Sequence, residues 1–112
     1  MSFVVLAAAV VSGCAAPSSK QSDTSPPPQL WSDHKRLTVA VDACAAKARA
    51  ALSSLGFSGI AQNGGYSYGN LNGNRAAVKC VEIAGGSFVY FAVAGAEREA
   101  VERLRNEIAW KL

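Results

Sequence analysis

Histidine occurs once in this chain, at position 34, and no Cys-x-x-Cys pair is present. A zinc or similar metal site needs several such ligands at short spacing, so metal binding is unsupported. A Ser-His-acid triad would have to use His34, whose neighbours read as the margin of a tether and not as a rigid scaffold. A thiol nucleophile at Cys44 or Cys80 would have only that one base to draw on. Glu82 reads as a strand residue, and Glu97, Glu99, Glu102 and Glu107 read as helix surface. No two carboxylates are therefore expected across a cleft, as glycoside cleavage requires. Gly64-Gly65 and Gly85-Gly86 do not open a strand-to-helix phosphate loop and read as turns. A large excess of one charge is also missing: the formal net charge is +3 over 112 residues. That is too mild for the clustered basic face of a nucleic-acid binder, though it suits an anionic membrane or envelope surface. No apolar run reaches the about 20 residues that a spanning helix needs. These absences predict a protein that is not an enzyme, with no catalytic residue, no cofactor, no metal and no nucleic-acid partner.

What is present begins with the uncharged apolar run Phe3 to Val11 and the small residues that follow, ending in Val11-Ser12-Gly13-Cys14. The run has the length of a signal-peptide h-region. Val-Ser-Gly-Cys resembles the lipobox of bacterial lipoproteins, in which an aliphatic residue and two small residues precede the cysteine. The resemblance covers residues 1–14. It implies cleavage after Gly13, diacylglycerol on the Cys14 sulfur and an acyl chain on the new amino group. One acyl chain binds a membrane marginally and a second signal makes the attachment stable, so this anchor would be effectively permanent. The pattern departs from a signal peptide at Met1-Ser2, which lacks the usual positive n-region; a start further upstream would supply it. The other reading of residues 1–16 is an ordinary cleaved signal or an apolar N-terminus. Ala15, where some lipoproteins carry Asp, resembles the outer-membrane sorting pattern. The implied location is the periplasmic face of the outer membrane.

With Cys14 lipidated, Cys44 and Cys80 remain as an even pair in an exported chain, where a disulfide is permitted. It would close a loop of about 36 residues and contribute roughly 4 kcal/mol on the chain-entropy argument. For one small domain that is a large share of stability. Two buried free thiols are the alternative.

The expected organisation is a signal peptide over 1–13, the attachment cysteine and a Pro/Ser-rich tether over 14–33, and a domain over 34–112. Residues 15–29 hold no aliphatic side chain larger than Ala and cannot offset their ordering entropy by burial. Trp31 is expected to pack on the domain edge or to touch the membrane. Leu37, Val39 and Val41 alternate with smaller residues, which permits a short strand. Residues 41–55 then read as a helix, with Val41, Cys44, Ala45, Ala48, Leu52 and Leu55 on one face. Gly56 suits the left-handed position after it, with Phe57 returning onto Leu52. Asn63-Gly64 and Asn72-Gly73 are hairpin signals. They allow strands at 57–62 and 65–70, or one bent strand with a bulge. Arg75 to Ile83 alternates, with Ala76, Val78 and Cys80 on one side. Ser87 to Ala94 is apolar on both sides and is expected to be the most buried strand. Val101, Leu104, Ile108 and Leu112 mark a final helix from Glu97, with Glu99–Arg103 and Glu107–Lys111 pairs on its solvated side.

The fold class that follows is α+β, a two-layer sandwich of helix, antiparallel meander of three or four strands, and helix. With both helices on one side, the other side carries either Val89, Phe91 and Val93 or Phe88, Tyr90 and Ala92, joined by Tyr66 and Tyr68. Tyr66, Tyr68, Tyr90 and Phe91 are thus the candidate interaction surface, unless the tether, a tryptophan or a second copy covers it. The domain also looks like a group of small exported proteobacterial domains of uncharacterised activity. They share a Cys-bearing helix ending in Gly-Phe, a later strand Cys, and an aromatic strand ending in Ala-Gly. Here these are Cys44, Gly56, Phe57, Cys80, Phe88 to Phe91, Ala94 and Gly95. The resemblance bears on fold and compartment alone. Two functions fit: a lipid-anchored envelope protein with a non-catalytic binding domain, whose partner is an envelope protein or a second copy, or a small inhibitor of an envelope enzyme that presents Tyr66 to Asn74 to a cleft.

Overall fold

The computed structural model describes residues 26–112. The expected signal segment, Cys14 and the tether up to residue 25 lie outside the described residues. Seven elements follow in order: β1 (Gln29–Leu37), α1 (Val41–Ser54), β2 (Ser58–Asn63), β3 (Tyr66–Leu71), β4 (Asn74–Ile83), β5 (Gly86–Gly95) and α2 (Arg98–Lys111). The strands form one antiparallel sheet in the order β1-β5-β4-β3-β2. The class is α+β, but the sheet has five strands and a strand precedes the first helix. The expected meander is β2 to β5, and β1 adds to its far side along β5.

Strand β1 overturns the expected boundary at residue 34. Residues 29–33, which the sequence assigns to the tether, are paired with Gly95 to Phe91, and the strand ends at Leu37 instead of running on to Val41. The hydrophobic alternation that marks a half-buried strand fails here because the inward positions are Trp31, Asp33, Lys35 and Leu37. Charged inward residues are a usual device of edge strands. Lys35 lies under the end of α2, where its ammonium donates to the Ala109 carbonyl at 3.1 Å. A cation there also complements the negative end of the helix dipole. Trp31 packs against the core, with the Arg98 and Arg105 guanidiniums 5.4 and 5.3 Å from its ring centroid. Arg105 also donates to the Ser32 carbonyl at 3.3 Å, which occupies part of the open edge.

Helix α1 forms where the Ala-rich segment predicts it and ends as expected. Gly56 takes φ 92°, its N–H donates to the Ser53 carbonyl at 3.1 Å, and the Phe57 N–H donates to the Leu52 carbonyl at 3.0 Å. This is the Schellman geometry. Phe57 then lies buried over β3 against Gly69, where an added Cβ would sit 3.0 Å from the Phe57 Cβ. The linker from β1 to α1 crosses the start of β5. Ser87 Oγ donates to the Val39 carbonyl at 2.8 Å, and a Cβ on Gly86 would collide with the Leu37 carbonyl.

Residues 58–71 form two strands, not one bent strand. The bulge lies within β2, between Ser58 and Ala61. Asn72-Gly73 makes the β3–β4 turn, both with positive φ, the combination that a type I′ turn requires.

Both helices lie on one side of the sheet, α1 over β3 and β4 and α2 over β5 and β1. The core between the layers holds Cys44, Ala48 and Leu52 of α1, Val101, Leu104 and Ile108 of α2, and Ala76, Val78, Cys80, Val89, Phe91 and Val93 of the sheet. Cys44 and Cys80 are joined by a disulfide with a Cα–Cα distance of 6.1 Å. The bridge fastens α1 to the central strand. On α2, the ion pair within 4 Å is Arg103–Glu107 at 3.9 Å; among the described residues the expected Glu99–Arg103 and Glu107–Lys111 pairs do not close.

Candidate functional site

The side of the sheet away from the helices is uncovered among the described residues. Strand register decides which residues occupy it, because residues directly opposite across a ladder share a face. Cys80 is bonded to α1, so Cys80 and its partner Val89 face the helices. Counting along β5, Phe91 and Val93 do the same, and Phe88, Tyr90 and Ala92 face out. Phe91 is accordingly 0% exposed, a core residue and not part of the interaction surface. The sequence alone does not separate Phe91 from the open face, because Phe88 to Ala94 carry no charge and do not distinguish the two sides of β5. Strand β5 is the most buried strand, as expected, and Tyr90 at 43% is its exposed position.

The open face is ordered in rows that run across the strands. One row is His34, Tyr90, Lys79, Tyr66 and Asn63, taken from β1, β5, β4, β3 and β2. Beside it lies Ser32, Ala92, Ala77, Tyr68 and Ala61. The outer rows are Leu30, Ala94, Arg75, Asn70 and Ser58 on one side, and Arg36, Phe88 and Val81 on the other. At about 4.8 Å between strands, a full row spans about 19 Å.

The rings of this face are held by one another. Tyr66 and Tyr68 stack with centroids 5.6 Å apart and planes 14° from parallel. His34 stacks on Phe88 at 5.4 Å and 26°. The Lys79 ammonium sits 4.4 Å from the centre of the Tyr66 ring, a cation–π arrangement. Arg75 Nε donates to Asn70 Oδ1 at 3.1 Å. His34 was read as lying off any scaffold; it stands instead on β1, at the end of the row that contains Tyr90. With β1 unseen in the sequence, His34 and Arg36 could not be joined to the tyrosines. Lys79 follows from strand parity with its neighbour Cys80, and Phe88 follows only from the β4–β5 register.

The face carries Arg36, Arg75 and Lys79, and no described carboxylate occupies a position on it. By register Asp33 and Glu82 belong to the covered side, and the others lie on or at the ends of the helices. Among the described residues none of these three cations is in an ion pair. The result is a field of one sign over an aromatic floor, in a chain whose total charge is mild.

Ser32 and His34 share a strand face, but side chains two apart stand about 6.6 Å apart, beyond the hydrogen bond that activates a nucleophile. Among the described residues no group of three His, Cys, Asp or Glu is placed to hold a metal. No described helix is long and apolar enough to cross a membrane. The hollow beside Lys35, Asn106, Ala109 and Trp110 on the helix side is a weaker candidate, since the Lys35 ammonium is already taken by the Ala109 carbonyl. No family model, curated protein or solved structure matches the chain.

Proposed function

We propose that this chain is a lipid-anchored cell-envelope protein, held through Cys14 on the periplasmic face of the outer membrane, whose domain binds a partner without catalysis through the open face of its sheet. One observation carries the binding role. A face with exposed tyrosines and cations that no described carboxylate neutralises is costly to leave idle, and stability alone does not require it. The lipobox-like sequence supports the anchor, and the Cys44–Cys80 bridge is at home in an oxidising compartment. The inhibitor reading draws less support. Tyr66–Leu71 is a strand paired on both sides, so most of the stretch Tyr66 to Asn74 does not project as a loop toward a cleft.

Two measurements test the two halves. Intact mass of protein from a membrane fraction, with an extended start, should show loss of residues 1–13, a lipid at Cys14, and a gain of two hydrogens on reduction. An uncleaved, unlipidated mass would sink the anchor. Acylation of lysines by a small reagent tests the face. Lys79 should be protected in intact envelopes relative to the purified protein, whereas Lys47 and Lys111 on the helices should react alike in both. Equal reactivity of Lys79 in the two preparations would remove the binding role from the open face.

A further inference from the structure

We infer that the ligand of the open face is an extended anionic glycan of the cell envelope, its sugar rings lying across the strands along the small-residue strip beside the tyrosine row and its acidic groups meeting Lys79, Arg75 and Arg36. This deepens the binding role proposed above and rests on it.

The geometry of the rows carries the inference. Ser32, Ala92 and Ala77 form a strip of small side chains that crosses β1, β5 and β4. On one side stand His34, Tyr90 and Lys79, and on the other Leu30 and Arg75, with Tyr68 at the end. A linear ligand laid along that strip runs perpendicular to the strands for about 10 Å, two strand spacings, before it reaches Tyr68. It meets ring bodies that are apolar and ring tips that are polar, the amphipathic combination that suits a sugar, which itself has an apolar flat face and a hydroxylated rim. The cations supply charge-assisted hydrogen bonds to carboxylate or phosphate groups on the chain.

Other occupants fit less well. The centre of a protein–protein interface is depleted in charge, whereas Lys79 stands on the central strand of this face. A second copy packed face to face would bring Lys79, Arg36 and Arg75 against their own kind, which costs affinity. A bilayer surface calls for a cluster of protruding apolar side chains beside the cations, whereas the exposed aliphatic residues of this face, Leu30 at 68% and Val81 at 43%, stand in opposite outer rows. The most exposed ring, Trp110 at 89%, lies on α2, on the opposite side of the sheet.

The test uses the full-length protein in neutral phosphatidylcholine vesicles, with fluorescent polygalacturonate as the anionic glycan and dextran as the neutral one. Polygalacturonate is expected to bind, more weakly as salt rises, and dextran is not. Lys79→Ala and Tyr90→Ala should each weaken binding by about tenfold, and Lys111→Ala on α2 should leave it unchanged. Thermal melting of the same samples checks that the variants remain folded. Unchanged binding in both face variants would overturn the inference. So would tighter binding of an oligothymidylate, or loss of glycan binding when the vesicles carry phosphatidylglycerol. If the glycan fails while Lys79 is still protected in envelopes, the ligand class is wrong and the open-face role stands. If Lys79 is unprotected as well, both fall.

Discussion

The two faces of this sheet are built from the same strands and from alternate residues of the same sequence, yet they differ in packing and in what they expose. The covered face is Val78, Cys80, Val89, Phe91 and Val93, packed under two helices and closed by a disulfide. The open face is Tyr66, Tyr68, Phe88, Tyr90, Lys79, Arg75 and Arg36, held by stacking and cation–π contacts among surface groups. One side excludes water and sets stability. The other keeps its polar tips in water and has no evident role in folding. Tyr90 and Phe91 are neighbours in sequence and opposite in purpose, because side chains alternate along a strand.

The largest effect should come from that neighbouring pair. Phe91→Ala empties the core and is expected to cost about 3 to 5 kcal/mol, whereas Tyr90→Ala should cost about 1 kcal/mol or less, the worth of its cross-strand contacts. Urea denaturation of the two variants gives the contrast directly; similar losses would mean that the faces are not divided as described. Breaking the bridge with Cys44→Ser and Cys80→Ser together should cost roughly 4 kcal/mol, and reductant should reproduce the loss in the native protein. Gly86→Ala tests the close crossing of the β1–α1 linker over β5. The added Cβ meets the Leu37 carbonyl, so the backbone must shift, at a cost of about 1 to 3 kcal/mol. The smallest effect is expected on the solvated side of α2. Glu107→Ala removes the Arg103 pair, two largely exposed side chains, and should change the melting midpoint by an amount corresponding to no more than about 0.5 kcal/mol.

Much of the covered side was legible because its signals are local. The Ala-rich face of α1, its Gly56-Phe57 stop, the Asn72-Gly73 turn and the apolar stripe of α2 each follow from a few residues. The division of β5 was not legible from β5 itself. It follows once two neighbouring facts are combined: a Cys80 bonded to a helix must face that helix, and the tight turn at Ala84-Gly85 sets Cys80 opposite Val89. Strand β1 was illegible for a different reason. Its inward positions hold Asp33 and Lys35, which no alternation rule assigns to a core; Asp33 stays exposed, and Lys35 is accommodated because α2 ends above it. Missing β1 also hid His34 and Arg36 from the candidate surface, so the basic and aromatic character of the open face emerges only from the register of five strands.

The most direct test of this division is a photoreactive amino acid placed singly at four alanine positions, with adducts read in intact cells. Positions 77 and 92 lie in the small strip of the open face, and positions 43 and 50 lie on the exposed side of α1. Adducts at 77 and 92 with none at 43 and 50 is the predicted result. Adducts from the helix positions with none from the sheet would contradict the account and move the binding surface to the other side of the molecule.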